Sequence, residues 1–309
     1  MDEKLIDRLE TAIHRDVGRG MDGVFQATKG GLLGAASALA AADAPRIGLI
    51  TGFFVPAGDP PSAETDGPAG AALMVRAFIA IGLPCRLATD TVCQSACRVA
   101  LDAAGAGSVP IDALPPGGAV NDFAPGGAVD ALIDLWRAQG IDWVIAIERC
   151  GPSEDGRPRN MRGADVSAYA APLDRLFTAG PWRTIAIGDG GNEIGMGSVP
   201  RALITRHVPS GASIGCMVPA DFLITAGVSH WGAYAMLAAL AVLRPDWSDT
   251  MLSTLDPALD RAVVEAMVRD GPAVDGVSLR RAATIDGMGM DFHRGVMDAL
   301  RALVRQCHT

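Results

Sequence analysis

Apolar positions along this chain recur with two different periods. Near its start, Leu5, Leu9 and Ile13 follow helical spacing, and a second apolar-rich segment covers residues 31–42. We therefore expect an N-terminal helical segment over residues 1–45. Beyond it, short continuous apolar runs alternate with longer helical patterns, which is typical of strands followed by helices. The expected strands are 46–53, 84–89, 108–113, 142–147, 184–187, 212–218 and 222–225, and the expected helices are 71–81, a Cys/Ala-rich helix after Asp90, 128–139 and 231–243 with Ser229 as its cap.

This alternation indicates the fold class. Such chains form parallel sheets with right-handed crossover connections, so we predict a doubly wound α/β protein whose mainly parallel sheet is flanked by helices. Residues 46–309 would form this domain, either as one unit or as two closely packed lobes. The Pro/Gly-rich stretch at 114–127 is the expected lid or lobe boundary.

Polar side chains follow several of the predicted strands. Loops that follow parallel strands lie at one edge of the sheet, so these side chains are expected to converge. Glu148 is the hardest to explain without a function, because a carboxylate at the end of a buried strand needs a partner. Asp66 and Asp221 have a simpler alternative as caps of the segments after them. The candidates are Glu64, Asp66, Glu148, Asp189, Asn192, Glu193 and Asp221.

The segment GDGGNEIGMG, residues 188–197, is the most informative of these loops. Its glycines allow close approach to a ligand, and its acids and amide suit a hard divalent cation or an amine. It matches neither nucleotide motif, because Glu193 stands at the last glycine of G-x-G-x-x-G and Met196 stands at the P-loop lysine. No nucleotide cofactor is therefore expected. The alternative is a tight turn with solvated acids, against which the apolar Ile194 argues.

A second loop supplies positive charge. An arginine fork suits bidentate recognition of a carboxylate, and Arg162 lies in the sequence NMRG, where an apolar Met between polar residues predicts a loop that turns inward. Arg157 is expected to pair with neighbouring acids at the surface instead. The arginines of this loop are Arg149, Arg157, Arg159 and Arg162, with Asn160 beside the last.

Composition limits the partners. The chain has 309 residues, 49% of them hydrophobic, with a net charge of −9 and a pI near 5.0. The acidic balance excludes nucleic acid and anionic membranes as main partners. A small amino-acid substrate is expected, and association with further copies of the chain remains open.

Cysteine usage and the N-terminus bear on the compartment. The six cysteines include no C-x-x-C pair, so buried free thiols in a reducing environment are expected. The N-terminal residues resemble neither a signal nor a transit peptide, and no run reaches the ~18 apolar residues of a membrane span. A cytoplasmic location is the resulting expectation.

Four motifs together resemble the D-glutamate cyclase family, long catalogued as a domain of unknown function and represented by the C-terminal domain of the mammalian enzyme. They are ETDGP at 64–68, NMRG at 160–163, GDGGNEIGMG at 188–197 and VSHWG at 228–232. The resemblance covers roughly residues 45–295. One departure is His230, where the family usually has Asn.

The resemblance implies that D-glutamate is converted to 5-oxo-D-proline with loss of water, assisted by a divalent metal. The residues themselves lead to a hypothesis for the mechanism. Mg²⁺ or Mn²⁺ held by oxygen ligands would neutralise the γ-carboxylate of the substrate, and a carboxylate side chain of the protein would transfer protons. Arg162 would hold the α-carboxylate of the substrate. The expected metal ligands are Asp189, Glu193 and Asp66; the proton carrier is Glu64 or Glu148; Asn192 completes the catalytic set; and Asn160, Asp221, Ser229 and Trp231 join Arg162 in substrate binding.

Two other functions remain open at this point. Clustered acidic loops on an α/β sheet also suit a metal-dependent hydrolase of phosphorylated or amide substrates. A non-catalytic amino-acid-binding protein would use the arginine loop for the carboxylate and the acids for the amine. His230 and Trp231 would line the site or merely pack at the start of a helix.

Overall fold

The computed structural model describes residues 2–116 and 127–306. Its strands are β1 Ile47–Ile50, β2 Phe54–Val55, β3 Ser62–Ala63, β4 Cys85–Asp90, β5 Ile111–Leu114, β6 Trp143–Ile147, β7 Arg183–Gly188, β8 Phe222–Thr225, β9 Thr284–Ile285 and β10 Met288–Gly289. Its α-helices are α1 Asp2–Ile13, α2 Asp22–Thr28, α3 Gly31–Ala40, α4 Pro68–Ala80, α5 Gln94–Ala103, α6 Ala128–Ala138, α7 Leu173–Ala179, α8 Arg201–His207, α9 Gly211–Ile214, α10 Ser229–Leu243, α11 Ser248–Thr254, α12 Pro257–Asp270 and α13 Met290–Arg305, with a 3₁₀ turn at Ser167–Tyr169.

Six strands form one parallel sheet in the order β5-β4-β1-β6-β7-β8. The chain builds outward from β1 to one edge and then returns to build from β6 to the other. This confirms the predicted doubly wound α/β fold. The direction reverses between β1 and β6, and in such sheets ligands bind beyond the carboxyl ends of the strands at that point. We call this side of the sheet the carboxyl edge.

Helices cover both faces of the sheet, which explains the continuous apolar strands. All five residues of β6 are buried. On one face, α10 is buried along almost its whole length, as expected for a helix that is apolar all round. Leu5, Leu9 and Ile13 of α1 lie in the same core as α10. The N-terminal helices therefore pack against α10 and β8 and belong to the same folded unit as the sheet.

Two local predictions were wrong. Residues 212–218 were expected to form a strand, but the segment contains α9 and then an extended stretch bonded to the glycine-rich loop, in which Val218 O accepts from the amides of Gly195 and Gly197. Ile214, Cys216 and Val218 are buried in the same apolar cluster as Ile194 and Met196 of that loop instead of joining the sheet. Ser229 was expected to cap α10, but it is the first residue of the helix and makes no side-chain cap.

Three further predictions concern the 114–127 segment, the cysteines and membrane-spanning helices. The predicted lid or lobe boundary at 114–127 lies mostly outside them, as does Cys307. The remaining five cysteines are buried free thiols. In the part of the chain that is described, every helix is too short or too polar to span a bilayer.

Candidate active site

A cavity of about 190 Å³ opens at the carboxyl edge, where the direction of the sheet reverses. It is smaller than the pockets of roughly 300–1,000 Å³ that hold drug-sized ligands, so it suits a small metabolite. Residues from several separate loops line it, which confirms that distant loops converge here. The charged and amide side chains among them are Arg19, Glu64, Glu148, Asn160, Arg162, Asp189, Asn192 and Asp286.

Three carboxylates form the centre of the site. One oxygen each from Asp66, Glu148 and Asp189 lies within 4.8 Å of the other two. The three side chains are almost fully buried, with residue exposures of 3%, 8% and 2%. Buried carboxylates at this separation repel each other strongly unless protons or a cation neutralise them. The triad is therefore arranged to hold positive charge.

The backbone brings Glu148 to the triad. Glu148 directly follows β6 and has φ of 43°, in the left-handed region that non-glycine residues rarely adopt. Gly67, at the start of α4, lies so close that a Cβ there would be 2.8 Å from the Cβ of Glu148. The Ser229 hydroxyl donates to Glu148 Oε2 at 2.6 Å, and the Ser229 amide donates to Asp189 Oδ2 at 2.8 Å. Such strain is typical of functional positions.

Glu193 has a different role from the one predicted. Its carboxylate accepts from the amides of Asp189 at 3.3 Å, Gly190 at 2.7 Å and Gly191 at 2.8 Å. These bonds fold the glycine-rich loop around Glu193 and orient Asp189. Glu193 therefore lies outside the oxygen triad, in which Glu148 stands instead.

Sequence reasoning missed two charged residues of the cavity, Arg19 and Asp286. Arg19, in the turn between α1 and α2, lies 2.5 Å from Asp189 Oδ1 and 2.6 Å from Asp286 Oδ1. Asp286 has φ of 54°, so it is a second cavity acid in the left-handed region. Neither residue follows a strand of the main sheet. An acid at the tight turn DGMG between β9 and β10 was a weak signal for Asp286, and Arg19 had none.

Burial dominates the electrostatics of the acids. It raises the pKa of Glu64, Asp66 and Glu148 well above the ordinary range, and repulsion from neighbouring carboxylates adds to the effect. Burial also raises the pKa of Asp189 and Asp286 to about 7, against the opposing attraction of Arg19. Burial disfavours the charge of Arg19 itself, but Asp189 and Asp286 together raise its pKa well above its ordinary value. The cavity thus contains acids that readily take up a proton or a cation.

Several oxygens in the site are left without a partner. Glu64 Oε1, Asp66 Oδ2 and Asn192 Oδ1 are buried and have no hydrogen-bond partner within the described residues. The amide of Asn192 is fixed by its donation to Arg159 O at 2.9 Å. Native proteins rarely leave buried polar atoms unsatisfied, so these oxygens are candidate acceptors for a ligand in the cavity.

The arginine loop divides into structural and cavity-lining residues. Arg149 is buried and paired with Asp90, and Arg159 pairs with Asp155. Arg157 contacts Asp165 at the surface. Arg162 lines the cavity, exposed, and donates only long bonds of 3.2–3.4 Å to carbonyls of residues 276 and 277. Its donors are therefore available to a ligand.

Asn160 lines the cavity beside Arg162. Its Oδ1 accepts from the amides of Arg162 and Ala164, both at 3.0 Å. This side chain shapes the turn that presents Arg162 to the cavity.

Three other residues considered at the sequence level lie outside the cavity lining. Asp221 precedes β8 and accepts from the amide and hydroxyl of Thr184, near the start of β7. It therefore lies at the amino ends of the strands, on the side of the sheet opposite the carboxyl edge. Trp231 is buried in the core and donates to His293 at 2.9 Å. His230 is also buried, and its Nε2 is 2.7 Å from Asp260. The structure does not bring Asp221 or Trp231 to the acids.

The fold and site define a class: an α/β protein with a buried, carboxylate-rich cavity for a small ligand at the reversal point of its sheet. Comparison with known proteins makes this specific. The chain matches the family described as D-glutamate cyclase-like, C-terminal, over residues 9–301, and it belongs to that family.

A curated relative supports the same assignment. The chain is 33% identical over 205 residues to the human protein named D-glutamate cyclase, mitochondrial. The match covers 63% of this chain and 32% of the relative, so the chain corresponds to about a third of that protein's length.

Proposed function

We propose that the protein is a D-glutamate cyclase, which closes D-glutamate to 5-oxo-D-proline with loss of water. The observation that carries this proposal is the convergence of four carboxylates with Arg19 and Arg162 in one small cavity, with a fifth carboxylate, that of Asp66, within 4.8 Å of two of them. An amino diacid offers an ammonium group to the acids and carboxylates to cationic partners. The family assignment supports this substrate class.

A divalent cation fits the triad of Asp66, Glu148 and Asp189. The donors are all oxygens, which suits Mg²⁺ or Mn²⁺ better than zinc, and Asp66 Oδ2 is buried without a partner in the described structure. The cation would also offset the negative charge that disfavours entry of an anionic substrate. When bound, it would supply Lewis acidity to the γ-carboxylate, which is otherwise a poor electrophile.

Glu64 is suited to move the protons. Its Oε1 is buried without a partner, it lines the cavity, and it lies outside the triad. Burial and the nearby Asp66 raise its pKa, so its carboxylate is a stronger base than a solvated one. Glu64 takes a proton from the ammonium group, the nitrogen attacks the γ-carbon, and the carbon–oxygen bond breaks. Both protons of the departing water come from the nitrogen, one of them through Glu64.

Arg162 and Asn160 hold the other end of the substrate. The exposed guanidinium of Arg162 binds the α-carboxylate, and the turn around Asn160 fixes its direction. A held α-carboxylate keeps the flexible chain folded, so that the amine lies near the γ-carbon. Such orientation contributes up to several kcal/mol to an intramolecular reaction.

The test is turnover of purified protein with D-glutamate, L-glutamate and a generic phosphoester, each with Mn²⁺ or with EDTA. We expect 5-oxoproline from D-glutamate, loss of that activity in EDTA, and no phosphate release. Asp189→Asn and Glu64→Gln should each lower kcat by roughly 10²-fold or more. Phosphate release, or ligand binding without turnover, would identify a hydrolase or a binding protein instead.

A further inference from the structure

Arg19 neutralises a site that a metal ion would otherwise neutralise. Its guanidinium bridges Asp189 and Asp286, and its side chain is only 16% exposed. Asp189 is at the same time a member of the oxygen triad. In the described part of the chain, this largely buried guanidinium therefore lies beside the acids of the site, which are the cavity-lining Glu64, Glu148, Asp189 and Asp286 and the adjacent Asp66.

The turn that carries Arg19 is itself firmly built. Asp16 Oδ1 accepts from the amides of Gly18 at 3.2 Å, Arg19 at 2.8 Å and Gly20 at 3.0 Å. Gly20 has φ of 74°, and a Cβ there would lie 2.0 Å from the carbonyl oxygen of His207. The turn is thus fixed to α8 at a position that only glycine can occupy. Its fixed backbone brings the arginine into the acids.

Arg19 and a divalent cation would both bind the carboxylate of Asp189. The carboxylate that pairs with the guanidinium must be shared or released before it can serve as a metal ligand. We propose that Arg19 is a tethered cation that competes with the divalent cation for Asp189, so that the turn between α1 and α2 sets the affinity of the site for metal. This inference rests on the cation site of the proposed function.

Because the turn fixes the backbone of Arg19, its guanidinium would remain near the site when a cation binds Asp189. When a divalent cation takes Asp189, the guanidinium keeps Asp286 as its partner and stays in the cavity wall. The positive charge of Arg19 is then not lost to solvent, and it faces the space where an anionic substrate would bind.

Titration of the full-length protein with Mn²⁺ alone tests the proposal, by calorimetry and by the electron paramagnetic resonance signal of free Mn²⁺. Arg19→Met should bind Mn²⁺ roughly tenfold or more tightly than the wild type, because a competing charge in contact with the ligand is gone. Arg19→Lys, which retains the charge, should stay within a few-fold of the wild type. Arg157→Met removes the same charge from a surface pair outside the cavity, so it should leave the affinity unchanged.

Asp16→Ala provides a second test that does not alter the site. Removing this acid makes the protein less negative, which by long-range electrostatics alone would weaken Mn²⁺ binding. Loosening the turn that holds Arg19 should instead strengthen it. Unchanged or weaker binding in both Arg19→Met and Asp16→Ala, with binding retained in the wild type, would overturn the competition but not the cation site. Absence of Mn²⁺ binding in the wild type would overturn both.

Discussion

Glu148 and Glu193 are the same residue type, lie in neighbouring loops and are both buried, yet they are used differently. Glu148 faces other carboxylates and accepts one hydroxyl, whereas Glu193 accepts three backbone amides. Loss of negative charge should therefore have opposite consequences at the two positions. This contrast separates the proposed cation ligand Glu148 from Glu193, which holds the backbone of the glycine-rich loop.

The paired substitutions Glu148→Gln and Glu193→Gln test this difference. Glu148→Gln keeps an acceptor for Ser229 and removes repulsion, so the unfolding temperature should equal or exceed that of the wild type while turnover falls roughly 10²-fold or more. Glu193→Gln loses one acceptor and the charge that strengthens all three bonds, so it should lower the free energy of unfolding by roughly 1–3 kcal/mol. Thermal and urea unfolding measure both effects. Destabilisation by Glu148→Gln, or full stability of Glu193→Gln, would contradict these roles.

Arg162 should act on substrate binding rather than on stability. Its side chain is exposed and makes only long bonds to carbonyls, so Arg162→Ala should leave the free energy of unfolding within about 0.5 kcal/mol of the wild-type value. Loss of a charge-assisted contact with the α-carboxylate should raise KM for D-glutamate roughly tenfold or more. Arg157→Ala, which removes a surface arginine of the same loop, is the matched control. Equal KM values in the two variants would remove Arg162 from the substrate site.

At this scale the sequence was informative where a functional residue follows a strand. Glu148 and Asp189 come directly after β6 and β7, so the parallel sheet alone places them at one edge. Asp221 precedes β8 by one residue, and that single position puts it at the other edge. Arg19 reaches the site only because α1 packs on α10 and the turn is fixed to α8, and no local pattern encodes these long-range contacts.

At the scale of elements, α10 connects the core to the site. Its first residue, Ser229, bonds two of the triad acids, and Gly232 packs against β7 on the next turn. A Cβ at Gly232 would lie 2.3 Å from Ile187 Cγ2, on a strand with no room to move. The close contact between this helix and the sheet therefore depends on the absence of a side chain.

Gly232→Ala and Gly295→Ala form a matched pair. Alanine favours a helix by about 0.5–1 kcal/mol over glycine, so Gly295→Ala, in the exposed interior of α13 with open space around it, should stabilise the protein by that amount. Gly232→Ala should instead destabilise it by roughly 1–3 kcal/mol, because overpacking exceeds the gain in helix propensity. Urea unfolding at constant pH measures both. Equal effects would show that α10 does not depend on close contact with β7.

The order of the elements was more predictable than their boundaries. Alternating apolar runs sufficed for the doubly wound sheet, because both faces of each central strand are covered and the strands read as continuous apolar segments. The same rule misassigned residues 212–218, in which Ile214, Cys216 and Val218 are buried against the glycine-rich loop and not in the sheet. An apolar run predicts that a segment is buried. Whether that segment is a strand or a loop depends on which part of the protein packs against it.

For the whole molecule, the buried acids make stability depend on pH in an unusual direction. Five of them have a raised pKa in the folded protein, so the folded state binds protons more tightly than the unfolded chain. Their contribution to stability is fully present below the ordinary Asp and Glu values and is lost as pH rises through the folded values, which are about 7 for Asp189 and Asp286. His14 and His293 act in the opposite sense, because burial lowers the pKa of each. The acids outnumber these two histidines, so the free energy of unfolding should decrease overall as pH rises.

We therefore expect the unfolding temperature of metal-free protein to fall as pH rises from about 5 to about 8. Mg²⁺ or Mn²⁺ should reverse this trend, because a cation that binds only the folded state stabilises it, and the carboxylates bind it more tightly as they lose their protons. The stabilisation by cation should thus be small near the lower pH and largest near the upper one. Asp66→Asn should abolish the stabilisation by the cation at both pH values. The unfolding temperature of this variant in EDTA should still fall with pH, but less steeply than that of the wild type. Thermal unfolding across this pH range, with EDTA or with Mn²⁺, measures all three quantities. A temperature that rises steadily with pH in EDTA would show that the cluster is already neutralised within the protein, and that no cation is needed for charge balance at the site.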